Sequence, residues 1–99
     1  MRLNLGIKDK HINEGERTNP QNCAIARALR DRVRNLDKVG VFPDYAYLLV
    51  KNRSKTQAFK AKLNKTASEF IKHFDDGRAV NAFKLDLNFK PIKVAKELV

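Results

Sequence analysis

The alternation of apolar and polar residues at the two ends of the chain constrains the fold more than any other feature of the sequence. In "FKLDLNF", residues 83–89, a large apolar residue occupies every second position without a break. Since successive side chains of a strand point to opposite faces, this pattern predicts a strand with one buried face. "RLNLGI", residues 2–7, has the same period and predicts another half-buried strand.

The middle of the chain predicts further strands and one helix. "KVGVFPDYAYLLVKNR", residues 38–53, indicates two strands around the turn dipeptide Pro43-Asp44. Residues 57–63 alternate like a strand but also fit a helical stripe. Thr66-x-x-Glu69 has the form of a capping box immediately before "FIKHF". We therefore expect residues 57–63 to be a strand and the helix to begin at Thr66 and end at Gly77.

An earlier helix is indicated by Asn19-Pro20, because asparagine is a good N-cap and proline fits the first helical position. The apolar spacing predicts that this helix extends from Pro20 to Asn35. Before it, "KDKHINEG" is expected to form a single helical turn that ends at Gly15. After the last predicted strand, Pro91 ends the pairing and residues 91–99 are expected to form a tail that either packs or frays.

Together these elements predict an α+β fold: a largely antiparallel sheet of four or five strands with two α-helices packed on one face. A chain of 99 residues forms one domain on this reading, residues 1–99. It contains one cysteine, which cannot form an internal disulfide, and no apolar run of signal-peptide or membrane-span length. We therefore expect a protein of the reduced cytoplasm without a membrane partner.

Residues that could carry chemistry are few. Cys23 projects onto the arginine side of the predicted helix, where a helix N-terminus and cations would lower its pKa if it is exposed. Catalysis would also need a base, and neither His11 nor His73 has a spacing that predicts proximity. "HFDDG", residues 73–77, falls short of a metal-binding pattern, and the four glycines are scattered. The sequence thus predicts a non-enzymatic protein without metal or cofactor.

Charge is the strongest indication of a partner. The chain carries 21 Lys and Arg against 11 Asp and Glu, a net charge of +10, which favours a polyanion. Residues 51–65 contain six basic residues and no acid, and arginines occupy the polar arc of the first helix. These are the candidate nucleic-acid-binding residues: Lys51, Arg53, Lys55, Lys60, Lys62, Lys65, Arg27, Arg30 and Arg34. The alternative is that the lysines protect an exposed strand edge or simply solvate it.

Aromatic residues beside this basic segment invite a comparison with RNA-recognition domains. Tyr45-Ala46-Tyr47-Leu48 is similar to part of their aromatic signature, and "LNLG", residues 3–6, lies upstream at a plausible distance. Asn4, however, stands where that fold supplies a stacking ring, and the lysine-glycine start of the signature is missing. The sequence therefore lacks part of the stacking platform of RNA-recognition domains.

A larger part of the chain resembles a group of small, uncharacterised proteins encoded by bacteriophages and prophages. The resemblance is carried by "HINEGERTNPQNCAIARAL" and "LNKTASEFIKHFDDGRAVNAFKLDL", with a cysteine opening the first helix and the motif FI-x-x-FD-x-G closing the second. Cys23-Ala24 and Leu63-Asn64 replace the group's Cys-Pro and Leu-Pro. The resemblance implies a phage accessory protein acting in the host bacterial cytoplasm, and it supplies no catalytic residues.

Two functions follow as hypotheses. The first is binding of DNA or RNA phosphates through the basic residues of the hairpin. The alternative is an inhibitor or adaptor of a host protein, such as an anti-defence (anti-CRISPR-like) factor, whose basic face would cover an acidic patch of a host or phage protein. The sequence leaves open both the choice between DNA, RNA and protein and the oligomeric state.

Overall fold

The computed structural model describes residues 1–93, which fold into three helices and six strands. In chain order these are β1 (Arg2–Ile7), α1 (Asp9–Glu14), α2 (Ala24–Arg32), β2 (Leu36–Val41), β3 (Tyr45–Asn52), β4 (Lys55–Lys62), α3 (Lys65–Asp75), β5 (Phe83–Asn88) and β6 (Lys90–Ile92). The predicted α+β class is confirmed. Among the described residues, the strands form two antiparallel sheets, one of two strands and one of four.

The two strands that the sequence predicts most clearly pair with each other. β1 lies antiparallel to β5, with Leu3 opposite Leu87 and Leu5 opposite Leu85. All four leucines are buried, because the period of two places them on the same face of the small sheet. The alternation at the two ends of the chain therefore builds one wall of the core.

The larger sheet has the strand order β2-β3-β4-β6. The hairpin around Pro43-Asp44 forms as predicted, and residues 57–63 lie in or directly after β4, so the strand interpretation is confirmed. The expected end at Pro91 is wrong, since Phe59 of β4 pairs with Pro91 in β6. Proline is compatible with β6 because this strand forms an edge of the sheet. The rest of the predicted tail, residues 94–99, lies outside the described residues.

The helix predicted from Pro20 to Asn35 is shorter in the structure. The backbone N–H of Gln21 donates to Asn19 Oδ1 at 3.1 Å, which closes a turn before the helix. The Pro20 carbonyl accepts from Val41 N at 2.9 Å, so it is committed to strand β2 and not to a helical bond. Cys23, in an extended conformation, is the N-cap of α2, and Val33 ends the helix.

The other helical predictions hold with a shift of one or two residues. α1 ends at Gly15, as expected. The N-cap of α3 is Asn64 and not Thr66, so the helix begins two residues earlier than predicted. Asn64 Oδ1 accepts a hydrogen bond from Ala67 N at 2.8 Å and thereby caps the helix. After the helix, Gly77 adopts a left-handed conformation with φ of 77°, which reverses the chain at low steric cost.

The core lies between the two sheets and the helices. α2 contacts β1 and β2, and its buried residues include Ile25 and Leu29. α3 contributes Phe70, whose ring centre is 4.7 Å from that of Phe83. The larger sheet presents one face to this core through residues such as Leu48. Its opposite face, called the outer face below, therefore carries the alternate residues of β2, β3 and β4.

Candidate nucleic-acid interface

The register of β3 and β4 sets which side chains share the outer face. Tyr47 lies opposite Lys60, and Tyr45 lies opposite Lys62. Their chain neighbours Ala46, Leu48 and Ala61 belong to the core, so the tyrosines and lysines must occupy the other side. Both lysines are exposed and both tyrosines are partly exposed. The predicted orientation of Lys60 and Lys62 away from the core is confirmed.

Three aromatic rings form a cluster at one end of the outer face. The ring centre of Phe42 is 5.1 Å from that of Tyr45 and 6.1 Å from that of Tyr47, with interplanar angles of 28° and 19°. Phe42 joins the cluster because its N–H donates to the Tyr45 carbonyl at 2.8 Å, which holds it across the hairpin. We call Phe42, Tyr45 and Tyr47 the aromatic cluster. It was missed in the sequence, where only its two tyrosines stand out.

Gly40 gives Tyr47 its position. A Cβ atom at Gly40 would lie 2.2 Å from Tyr47 Cε1, far inside contact distance. The ring therefore fills the space above the backbone of β2, the edge strand of the sheet. An aromatic ring over a glycine of this kind also supports the edge strand itself.

The lysines flank the aromatic cluster on the β4 side. Lys60 Nζ lies 4.5 Å from the centre of the Tyr45 ring, within the range of a cation–π interaction. Lys60 also pairs in register with Lys90 of β6, and Lys90 is exposed. We call Lys60, Lys62 and Lys90 the lysine row. Lys90 could not be found from the sequence, because its place depends on β6 joining the sheet.

The tip of the β3–β4 hairpin carries the other basic residues of the segment. Lys51, Arg53 and Lys55 are all exposed, and Asn52 pairs with Lys55 at the end of the ladder. Arg53 has a positive φ of 54°, uncommon for a residue other than glycine, and forms the turn. The structure thus places three predicted residues at the tip of a protruding hairpin, as the sequence indicated.

Lys65 is separated from this group by its position in α3. It occupies the first helical residue, and its Nζ lies 4.0 Å from Glu69 Oε1, one turn further along. This is the usual spacing of a weak surface ion pair on a helix. Lys65 is exposed but has an acidic neighbour, unlike the residues of the lysine row.

The three arginines predicted to share one helical face do not do so. Arg27 and Arg30 line a cleft of about 300 Å³ between α1 and α2. Arg34 lies beyond the end of α2 and lines a different groove with Val50 and Phe59. Arg30 donates to Asn22 Oδ1 at 2.9 Å, and the buried Nε of Arg27 has no hydrogen-bond partner within residues 1–93.

His11 and Asp31 also line this cleft, and the sequence gave no indication that they meet. His11 Nε2 lies 2.8 Å from Asp31 Oδ2, and Lys10 Nζ lies 3.2 Å from the same oxygen. The hydrogen bond from His11, together with that from Lys10, lowers the pKa of Asp31 below its ordinary value. Both nitrogens of the buried His11 ring are occupied, since Nδ1 accepts from Lys8 N at 2.9 Å. The pair joins α1 to α2 and leaves no free nitrogen for acid–base chemistry.

Cys23 is buried, which contradicts its predicted place on the arginine face. Only 6% of its surface is exposed, and it belongs to the core. Burial raises the pKa of the thiol, although the backbone N–H groups of Ala26 and Ile25 act in the opposite direction. The sequence projection failed because the helix starts at Ala24, so Cys23 does not continue its arc.

Two further features concern metals and membranes. Residues 1–93 contain no group of three or more His, Cys, Asp or Glu side chains placed to hold a metal ion. Over the same residues, the helices are too short or too polar for any of them to span a bilayer.

The fold and this surface define an α+β protein with a basic, partly aromatic outer sheet face. Comparison with protein-family models, with curated protein sequences and with solved structures finds no match to the chain.

Proposed function

We propose that this protein binds nucleic acid through the phosphate backbone, using the lysines of the outer face. The observation that carries the proposal is the strand register, which places the exposed side chains of Lys60, Lys62 and Lys90 next to one another on β4 and β6. Neutralising phosphates with lysines releases counterions from the nucleic acid, and this release favours binding. The net charge of +10 adds long-range attraction to a polyanion.

The neighbours of the lysine row support this assignment. The cross-strand partners of Lys60 and Lys62 are tyrosines and Lys90, so these ammonium groups meet no carboxylate across the ladder. Lys60 is covered on both sides by paired strands and so does not protect an edge, whereas Lys90 lies on the edge strand β6 and Lys62 lies beyond the residues that pair with β6. Placing positive charges in adjacent strands costs repulsion. An anionic partner would relieve that repulsion.

The hairpin tip extends the proposed interface. Lys51, Arg53 and Lys55 add three exposed cations at the tip, and the buried pair Leu49 and Ala58 lies between the tip and the lysine row. Arg27 and Arg30 are left out of the interface, since they face the cleft between α1 and α2. The proposal therefore keeps the hairpin residues that the sequence indicated and adds Lys90.

The test compares two charge-reversal variants in an anisotropy titration with a labelled oligonucleotide. K60E/K62E changes the lysine row. The matched control, K72E/K84E, makes the same change of net charge at exposed lysines of α3 and β5. The proposal predicts that K60E/K62E weakens binding by roughly tenfold or more at low salt, while the control retains most of the affinity.

Two results would overturn the proposal. Equal losses in the two variants would show that binding depends on net charge and not on the outer face. No binding of the unaltered protein to DNA or RNA at low salt would reject a nucleic-acid partner, and it would favour the alternative of an acidic protein surface.

A further inference from the structure

We infer that the nucleic acid bound on the outer face is single-stranded and that its bases stack on the aromatic cluster. This inference rests on the proposed function, because it concerns the same surface. It adds the class of nucleic acid and assigns a binding role to Phe42, Tyr45 and Tyr47.

The aromatic cluster supplies the surface on which bases can stack. Its two neighbouring ring pairs are within 28° of parallel, and all three residues are partly exposed on the outer face. Nucleobases stack on aromatic side chains whatever their sequence, and a base that stacks on Tyr45 takes the place of Lys60 Nζ, which lies 4.5 Å from the ring centre. Three such residues within one hairpin form a larger platform than one isolated tyrosine.

The aromatic and cationic groups follow a fixed order across the sheet. Phe42 directly follows the edge strand β2, Tyr45 and Tyr47 lie on β3 with the Tyr47 ring above Gly40, and the lysine row lies on β4 and β6. Aromatic and cationic groups therefore occupy adjacent bands. A single strand that passes over the Tyr45–Tyr47 end of β3 can place its bases over the rings and its phosphates over the lysines, since Leu49, the next residue on this face, is buried. This separation matches the two chemical halves of a nucleotide chain.

A duplex is not the preferred ligand of the aromatic rings. In double-stranded DNA or RNA the base faces are already stacked, and the outside of the helix presents phosphate and sugar. A duplex could meet the lysine row but would leave the aromatic cluster without stacking partners. Proteins that bind single strands without sequence preference combine these same two features, a basic track and aromatic stacking.

The chain provides its own spectroscopic probe for this contact. It contains two tyrosines and no tryptophan, and both tyrosines belong to the aromatic cluster. Tyrosine emission of the unaltered protein therefore reports directly on the proposed stacking surface. Stacking of bases on Tyr45 or Tyr47 should quench this emission, whereas contact with phosphates alone should change it little.

The experiment titrates the full chain with three ligands of about twelve nucleotides, a length typical of single-strand sites. They are oligothymidylate, an abasic oligomer with the same phosphates, and a duplex. The inference predicts that oligothymidylate binds roughly tenfold more tightly than the other two and that it alone quenches tyrosine emission, after correction for absorbance. Equal affinity for all three without quenching would overturn the inference and leave the proposed function intact. No binding to any of them would reject both.

A pair of variants isolates the ring itself. Y45L removes one aromatic face, while Y45F keeps it and serves as the control. The inference predicts that Y45L loses at least about fivefold in affinity for oligothymidylate and little for the abasic oligomer, with Y45F close to the unaltered protein. If Y45L proves poorly folded by its thermal unfolding curve, the quenching measurement on the unaltered protein still decides the question.

Discussion

His11 Nε2 lies 2.8 Å from Asp31 Oδ2 and joins a buried histidine of α1 to an exposed aspartate of α2. Because the Lys8 N–H donates to Nδ1, the proton of the neutral ring must be on Nε2, where it is donated to the carboxylate. The ring thus holds the two helices together through both of its nitrogens. The tautomer can be identified directly from the ¹⁵N chemical shifts of the His11 ring.

This contact makes the stability of the protein depend on acid pH. The folded-state pKa of Asp31 is lowered, so its contribution is present above the unfolded value of about 3.9 and is lost as the pH falls through the folded value. Asp31→Asn should therefore destabilise the protein at neutral pH, and the difference should shrink below about pH 4. Urea midpoints across this range measure the effect, with Asp37→Asn as the control for loss of one exposed charge. A difference that did not change with pH would contradict this assignment.

The N-cap of α3 can be tested by two alanine substitutions. Asn64→Ala removes the acceptor of the Ala67 N–H and should lower the free energy of unfolding by about 1 kcal/mol. Thr66→Ala, at the cap predicted from the sequence, should change it by less than roughly 0.5 kcal/mol, because the residue lies inside the helix and is exposed. Denaturant unfolding of both variants distinguishes the two caps, and the reverse order would restore Thr66 as the cap.

Two glycines on different sheets provide a matched test of the Tyr47 position. Gly40→Ala places a methyl group against the Tyr47 ring and should cost about 1–3 kcal/mol of stability or displace the ring. Gly6→Ala meets nothing within 4 Å and should be neutral or stabilising by up to about 1 kcal/mol. Thermal unfolding and tyrosine emission together report both effects. Similar behaviour of the two variants would refute the proposed packing of Tyr47 on Gly40.

Cys23 should behave as a protected thiol. Since burial raises its pKa, the folded state favours the neutral thiol, and the associated stability should be lost as the pH rises above the unfolded value of about 8.5. Labelling with a thiol reagent at neutral pH should be slow in the folded protein and fast in denaturant. Cys23→Ala should flatten the loss of stability between about pH 8 and pH 10. Fast labelling of the folded protein would show that the thiol is exposed.

The sequence predicted the strands better than the starts of the helices, and hydrogen bonding explains the difference. Alternation in residues 83–89 depends only on which face is buried, so a local pattern is sufficient. The start of α2 depends on the Pro20 carbonyl accepting from Val41, a contact between distant residues that no local pattern contains. At α3, Asn64 and Thr66 are both good capping residues, and local propensity alone did not separate them.

Only part of the candidate interface could be predicted, because local sequence patterns do not contain strand pairing between distant residues. Lys60 and Lys62 followed from alternation, but Phe42 and Lys90 joined the site only through strand pairing. The structure agrees with the weak match to RNA-recognition domains, since β1, which carries Asn4, pairs with β5 in the smaller sheet and does not lie in the sheet of the tyrosines. The platform is completed across the hairpin and not by the first strand.

The salt dependence of single-strand binding tests the central claim most directly. For a single strand, the slope of log K against log salt concentration is about −0.7 for each phosphate neutralised. K60Q/K62Q should therefore bind oligothymidylate with a slope shallower by about 1.4 than that of the unaltered protein, whereas K72Q/K84Q should leave the slope unchanged. Identical slopes for all three proteins would contradict the account, because Lys60 and Lys62 would then make no contact with phosphate.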